Sequence, residues 1–203
     1  RKELIKTTKN LCRRIQDFEK YKHLQIELNT EERVTKIQRA IAGVQRPFKV
    51  IPKVVAFMRK FVTNREPVAR KWILVLDGPS GMGKTEYVRS LFVRDALLEV
   101  NAGDMQVVCI PGFDQCVTRA ILWDECRAEL VIRNRKIFQH GTNWVDLGHS
   151  PTAQHVKRYF LNDSVSIIAS NRWHDDVENI ESASDRVWLK KNTVILNVTE
   201  PLW

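Results

Sequence analysis

Leu4, Leu11, Ile15 and Phe18 recur at helical intervals with lysines and arginines between them, so residues 1–28 read as an amphipathic helix. Asn29 followed by Glu32 offers an N-cap with an acidic third helical residue. Val34, Ile37, Ile41 and Val44 then repeat at helical spacing and predict a second helix. Pro47 and Pro52 punctuate the chain, and Val54, Val55, Met58, Phe61 and Val62 predict a third helix ending before Pro67. Residues 1–66 are therefore expected to form a small all-helical domain.

At Trp72 the texture changes. Trp72-Ile73-Leu74-Val75-Leu76 is a continuous apolar run with β-branched members, which suits a strand buried on both faces of a parallel sheet. Similar runs recur at 106–110, 120–123, 165–169 and 194–198, with helical stretches at 85–92 and 126–139. This alternation predicts an α/β domain over residues 67–203.

Charge divides the chain at nearly the same place. Of the 203 residues, 1–71 hold 19 Lys/Arg against 7 Asp/Glu, a net +12, while 72–203 hold 14 against 17, a net −3. The overall +9 points to an anionic partner, but its source is the N-terminal segment. A composition of 43% apolar residues, 8 Gly and 7 Pro excludes disordered and collagen-like classes. No apolar stretch reaches the roughly 20 residues of a membrane span, and no signal-peptide core opens the chain. Cys12, Cys109, Cys116 and Cys126 lack C-x-x-C spacing, make no zinc pattern with the five histidines, and fit reduced thiols in an intracellular protein. A first residue of Arg1 rather than Met fits a piece of something longer.

Directly after the first strand stands Gly78-Pro79-Ser80-Gly81-Met82-Gly83-Lys84-Thr85, which satisfies G-x-x-x-x-G-K-[ST] and opens a helix. Glycines let backbone N–H groups turn inward around phosphates, Lys84 is expected to reach the β and γ oxygens of ATP, and the Thr85 hydroxyl to ligate Mg²⁺. Such a cradle needs a second carboxylate at a neighbouring strand end. Ala120-Ile121-Leu122-Trp123-Asp124-Glu125 supplies it: Asp124 for the metal, Glu125 for the attacking water. The acidic pair favours hydrolysis over phosphoryl transfer to a small acceptor, which brings its own hydroxyl. A further apolar run, Val165-Ser166-Ile167-Ile168-Ala169-Ser170, ends in Asn171, whose amide is placed to sense the γ-phosphate or the attacking water. A lone Asn at a strand end also serves as a turn former.

Taken in order, Gly78 to Thr85, Ile121 to Glu125 and Ile167 to Asn171 resemble the three motifs of superfamily 3 helicases. These are compact AAA+ ATPases of small viral replication proteins, most nearly the Rep helicases of small circular single-stranded DNA viruses. The resemblance covers about residues 67–203. It implies an AAA+-type P-loop ATPase with a central parallel sheet, a hexameric ring with ATP sites between subunits, and movement on single-stranded DNA. It implies a nuclear site of action if the host is a eukaryote infected by a DNA virus; no membrane partner is indicated, because no apolar stretch is long enough to span one.

The resemblance assigns Arg186, in Ser184-Asp185-Arg186-Val187, to the neighbouring subunit's ATP site, with Arg172 as a weaker substitute. It assigns residues 144–147 and 156–161 to a β-hairpin whose tip grips nucleic acid, with His149, His155, Lys157 and Arg158 as backbone contacts. Histidines at the tip depart from the family's usual lysine. Lys157 and Arg158, like Arg133, Arg135 and Lys136, also fit a solvated face. The helices before residue 67 correspond to an oligomerisation collar, here strongly basic. No His-x-His is present, so the cutting chemistry of an upstream nuclease is not expected in this chain. Three other readings remain open at this point: a superfamily 3 ATPase acting on RNA, a P-loop small-molecule kinase, and, least favoured because no motif residue is degraded, a non-enzymatic nucleic-acid-binding protein.

Overall fold

The computed structural model describes residues 48–64, 68–147 and 157–203. The first two expected helices, and the hairpin tip with His149 and His155, lie outside these residues.

Five strands form the central sheet: β1 (Ile73–Asp77), β2 (Leu97–Asn101), β3 (Ala120–Asp124), β6 (Val165–Ser170) and β7 (Thr193–Asn197). Their spatial order is β2-β3-β6-β1-β7 and every neighbouring pair is parallel. β6 is thus inserted between the strand before the glycine-rich loop and the strand that ends in Asp124. This order, with the loop directly after β1, is the α/β architecture of an AAA+-type P-loop ATPase. The central strands are continuously apolar because both sheet faces are covered. Strand alternation sends Ile73, Val75, Ile121, Trp123 and Ile168 into one core and Leu74, Leu76, Leu122, Ile167 and Ala169 into the other.

The second core is closed by α1 (Pro52–Met58), a wider π-type turn over Arg59–Thr63, and α2 (Lys84–Ser90). Val54, Phe57 and Phe61 are buried there with Tyr87 and Val88 of α2. The compact unit that carries the sheet accordingly begins at Phe48, so the third expected helix packs on the sheet. The first core is closed by α3 (Ala128–Arg133), α4 (Arg135–Phe138), α5 (Trp173–Glu178) and α6 (Ala183–Asn192), together with the hairpin of β4 (Val145–Leu147) and β5 (Lys157–Tyr159).

Two expectations differ from what forms. Residues 106–110 are not a strand; the true second strand is β2, nine residues earlier, where Glu99 and Asn101 interrupt the apolar run. Val108 and Ile110 alternate with exposed Val107 and Cys109 as a strand would. Yet they enter the core from an irregular loop that makes no ladder among the described residues. The helix expected over 126–139 is two short ones, broken at Asn134, whose side-chain amide donates to Leu130 O at 2.9 Å and whose backbone leaves the helical region (φ −124°, ψ 35°). Asn competes for backbone partners in this way, which is why it weakens helix interiors.

Candidate nucleotide site

The phosphate-loop, carboxylate and sensor candidates picked out along the sequence collect at the C-terminal end of the sheet. In a parallel sheet all C-terminal strand ends lie together, and here they include Asp77, Asp124 and Ser170, the last followed by Asn171. Such edges are where α/β folds bind ligands.

The loop 78–83 reverses the chain between β1 and α2 with Gly81 at φ 81° and Gly83 at φ 79°. That left-handed backbone suits glycine. At Gly83 space is limiting too: a Cβ would stand 2.2 Å from the Trp203 indole. Trp203 is brought there by main-chain bonds, Leu202 N–H donating to Met82 O at 3.2 Å and Lys49 N–H to Leu202 O at 2.8 Å.

Lys84, the first residue of α2, is buried and its ammonium folds back under the loop. It donates to Gly78 O and Pro79 O, both at 2.7 Å, and to Asn171 Oδ1 at 2.9 Å. Burial pulls its pKa below the usual lysine value, opposed by the negative charges of Asp77, Asp124 and Glu125 in that order. The next residue, Thr85, places its hydroxyl 3.2 and 3.3 Å from the two carboxylate oxygens of Asp124. Glu125 adopts a left-handed conformation (φ 56°), unusual for a residue with a side chain and a form of strain that clusters at functional sites. Its N–H donates to Ala169 O of the adjacent strand at 2.8 Å, and its carboxylate accepts from the Asn171 amide at 3.4 Å. Lys84, Asn171 and Glu125 are therefore one chain of contacts, with Thr85 and Asp124 beside it.

The remaining assigned residues stand elsewhere. Arg186 donates to the main-chain oxygens of Ile180 and of Glu181, the latter at 3.3 Å, and pairs with neither Asp185 nor Glu181. Asp185 is taken by Arg135, whose guanidinium also lies over Trp188. Arg172 pairs with Asp176 at 3.0 Å. The expected hairpin forms, in the antiparallel register Val145 with Tyr159, and Arg158 is tied across it to Asp146 at 2.8 Å.

One residue of the site escaped the sequence reading. Asp77, just before Gly78, accepts from Trp173 N–H at 2.9 Å and His174 N–H at 3.1 Å, the first two residues of α5. The available signal was its sign, since a carboxylate directly before a phosphate loop is electrostatically out of place.

No family model matches the sequence, and no curated protein matches it significantly. Solved structures give distant likenesses. NtrX from Brucella abortus in complex with ATP is 14% identical, over 84% of this chain and 41% of that one, with a TM-score of 0.43. Two apo structures of the NrS-1 C-terminal region are each 15% identical. One covers 74% of this chain and 33% of its own with a TM-score of 0.41, the other 69% and 38% with 0.38. This chain thus spans about two fifths or less of each structure's length. The fold assignment rests on strand order and loop position instead.

Proposed function

We propose that this chain is an ATP-hydrolysing motor domain acting on single-stranded nucleic acid, DNA in preference to RNA, in the manner of superfamily 3 helicases. The observation that carries the reading is the Lys84–Asn171–Glu125 chain beside Thr85–Asp124, gathered from three strand ends. Phosphate oxygens entering the loop compete with Gly78 O, Pro79 O and Asn171 Oδ1 for the Lys84 ammonium. Once displaced, Asn171 is able to turn its amide to the γ-phosphate while Glu125 takes the proton of an attacking water. The Thr85 hydroxyl and Asp124 carboxylate are hard oxygen donors of the kind Mg²⁺ takes, and the ion would neutralise charge on the β and γ phosphates.

Arg186 supports a shared site. It has no ion pair among the described residues, so main-chain carbonyls steady its guanidinium without cancelling its charge. In the proposed ring, hexameric in the family this chain resembles, that charge completes the ATP site of the next subunit. Nucleic acid is assigned to the hairpin (His149, His155, Lys157, Arg158) and to the basic segment before residue 72.

The test is ATP hydrolysis with and without single-stranded DNA or RNA, measured with particle size, for wild type, Lys84→Ala, Arg186→Ala and a mixture of the two variants. Each variant alone should be inactive, and the mixture should recover part of the activity at boundaries that join an intact loop to an intact Arg186. A wild type active as a monomer, or a mixture as inactive as its components, would rule out the shared site. Stronger stimulation by RNA than by DNA would overturn the choice of nucleic acid.

A further inference from the structure

Asn171 and Arg172 form a two-residue span between β6 and α5. The N-cap position of α5, Arg172, has no side-chain cap of its own (φ −154°, ψ 32°); its N–H donates to Ser170 Oγ at 3.3 Å, and the free N–H groups of the first turn need acceptors from elsewhere. The end of β1 meets both ends of the span. On the strand side, Asp77 lies in register with Ser170, and Gly78 N–H donates to Ser170 O at 3.2 Å. On the helix side, its two carboxylate oxygens accept from Trp173 and His174. Asp77 itself is held from the other flank, where Val198 N–H donates to its carbonyl at 2.6 Å. Beyond the span, Trp173 is anchored in the core at 1% exposure. A carboxylate receiving N–H groups at a helix start makes charge-assisted bonds that favour the helix dipole.

We infer that Asp77 is a positioning residue for the proposed ATPase: it fastens the turn bearing Asn171 to the strand bearing the phosphate loop. The inference rests on the ATPase reading above. Its logic is geometric. Asn171 must reach Lys84 on one side and Glu125 on the other, and both come from other strands. A turn free to drift by about 1 Å would lose that double contact, and misplacements of that size cost on the order of a hundredfold in rate. The carboxylate also lies near enough to Lys84 to be its leading source of negative charge, ahead of Asp124 and Glu125. Its position one residue from the phosphate loop, unfavourable toward incoming phosphate, is explained by this double service: one group caps α5 and sets the spacing between loop and sensor.

The experiment measures kcat, KM and nucleotide Kd for wild type, Asp77→Ala, Asp77→Asn, Asn171→Ala and the Asp77→Ala/Asn171→Ala pair, with thermal midpoints to score folding. Asp77→Ala should lower kcat about tenfold or more while KM and Kd stay within about threefold. Asp77→Asn keeps one acceptor for Trp173 N–H and should recover most of that loss. The double variant should be no slower than Asn171→Ala, because both act through one side chain. Wild-type kcat in Asp77→Ala, multiplying losses in the double variant, or an Asp77→Asn as slow as Asp77→Ala would each overturn the assignment while leaving the ATPase reading standing. A wild type that binds no ATP would overturn both. If Asp77→Ala fails to fold, Asp77→Leu, which is close in shape and offers no acceptor, takes its place in every comparison.

Discussion

Two polar networks are built into the sheet at opposite ends, from similar side chains and with opposite character. At the N-terminal strand ends, His140 is fully buried: its Nδ1 meets Leu161 O at 3.0 Å and Ser164 Oγ at 2.7 Å, and its Nε2 meets Ser166 Oγ at 2.8 Å. Ser166 also accepts from the Trp123 indole at 3.0 Å, and Lys71 donates to Asn162 O and, at 3.1 Å, to Ser164 O. Both ring nitrogens are occupied by protein groups, so nothing is left for a ligand. At the C-terminal ends the carboxylates of Asp124 and Glu125 meet their partners at 3.2 to 3.4 Å, and Lys84 rests on carbonyls that a phosphate can replace. A buried Lys or His is thus no mark of function by itself. What separates the two ends is whether the partners are final or exchangeable.

That difference yields measurable contrasts. Lys84→Ala should lower ATP turnover at least about a hundredfold while altering stability by less than about 1 kcal/mol. His140→Ala should do the reverse, removing about 3 kcal/mol, or about 6–12 °C in thermal midpoint, with turnover per folded molecule unchanged. Equal stability losses in the two variants would erase the distinction.

Acid should expose the same asymmetry. Burial, aided by the Lys71 charge, lowers the His140 pKa from 6.5 to about 3. Between those values the unfolded chain binds the extra proton, so this stabilisation is complete above pH 6.5 and is lost as pH falls toward 3. The slope from this group is at most about 1.4 kcal/mol per pH unit. Denaturant unfolding across pH 7 to 4 should show that slope, and His140→Gln should flatten it. The smallest effect belongs to Arg158, whose pair with Asp146 lies in solvent. Arg158→Ala should change stability by less than about 0.5 kcal/mol, and titrations at several salt concentrations should show a nucleic-acid binding slope reduced by about one ion.

Legibility in the sequence followed the range of the interactions. The loop and Lys84 were readable because their chemistry is written in eight consecutive residues. Asp124 and Asn171 were readable because each closes an apolar run, and in a parallel sheet the end of a run is the end of a buried strand. β2 was missed because an edge strand tolerates Glu99 and Asn101, while 106–110 carried strand-like alternation without a partner strand. Asp77 was invisible for a different reason: the N–H groups it caps belong to residues 96 and 97 positions away. The His140 network is likewise set by partners 21 to 26 residues distant, which no local pattern announces.

Strand order has a consequence for how the molecule comes into being. With β6 inserted between β1 and β3, Asn171 reaches Lys84 across 87 residues of chain and Glu125 across 46. Contacts of that separation make folding slow, since loop closure is opposed by entropy before any pairing energy is gained. The loop alone cannot hold the sensor, and β1 pairs with β6 only after the intervening 87 residues have been synthesised. In the proposed function, competence for ATP would therefore come late in folding, and nucleotide bound at this edge would select the completed sheet over every partly assembled form.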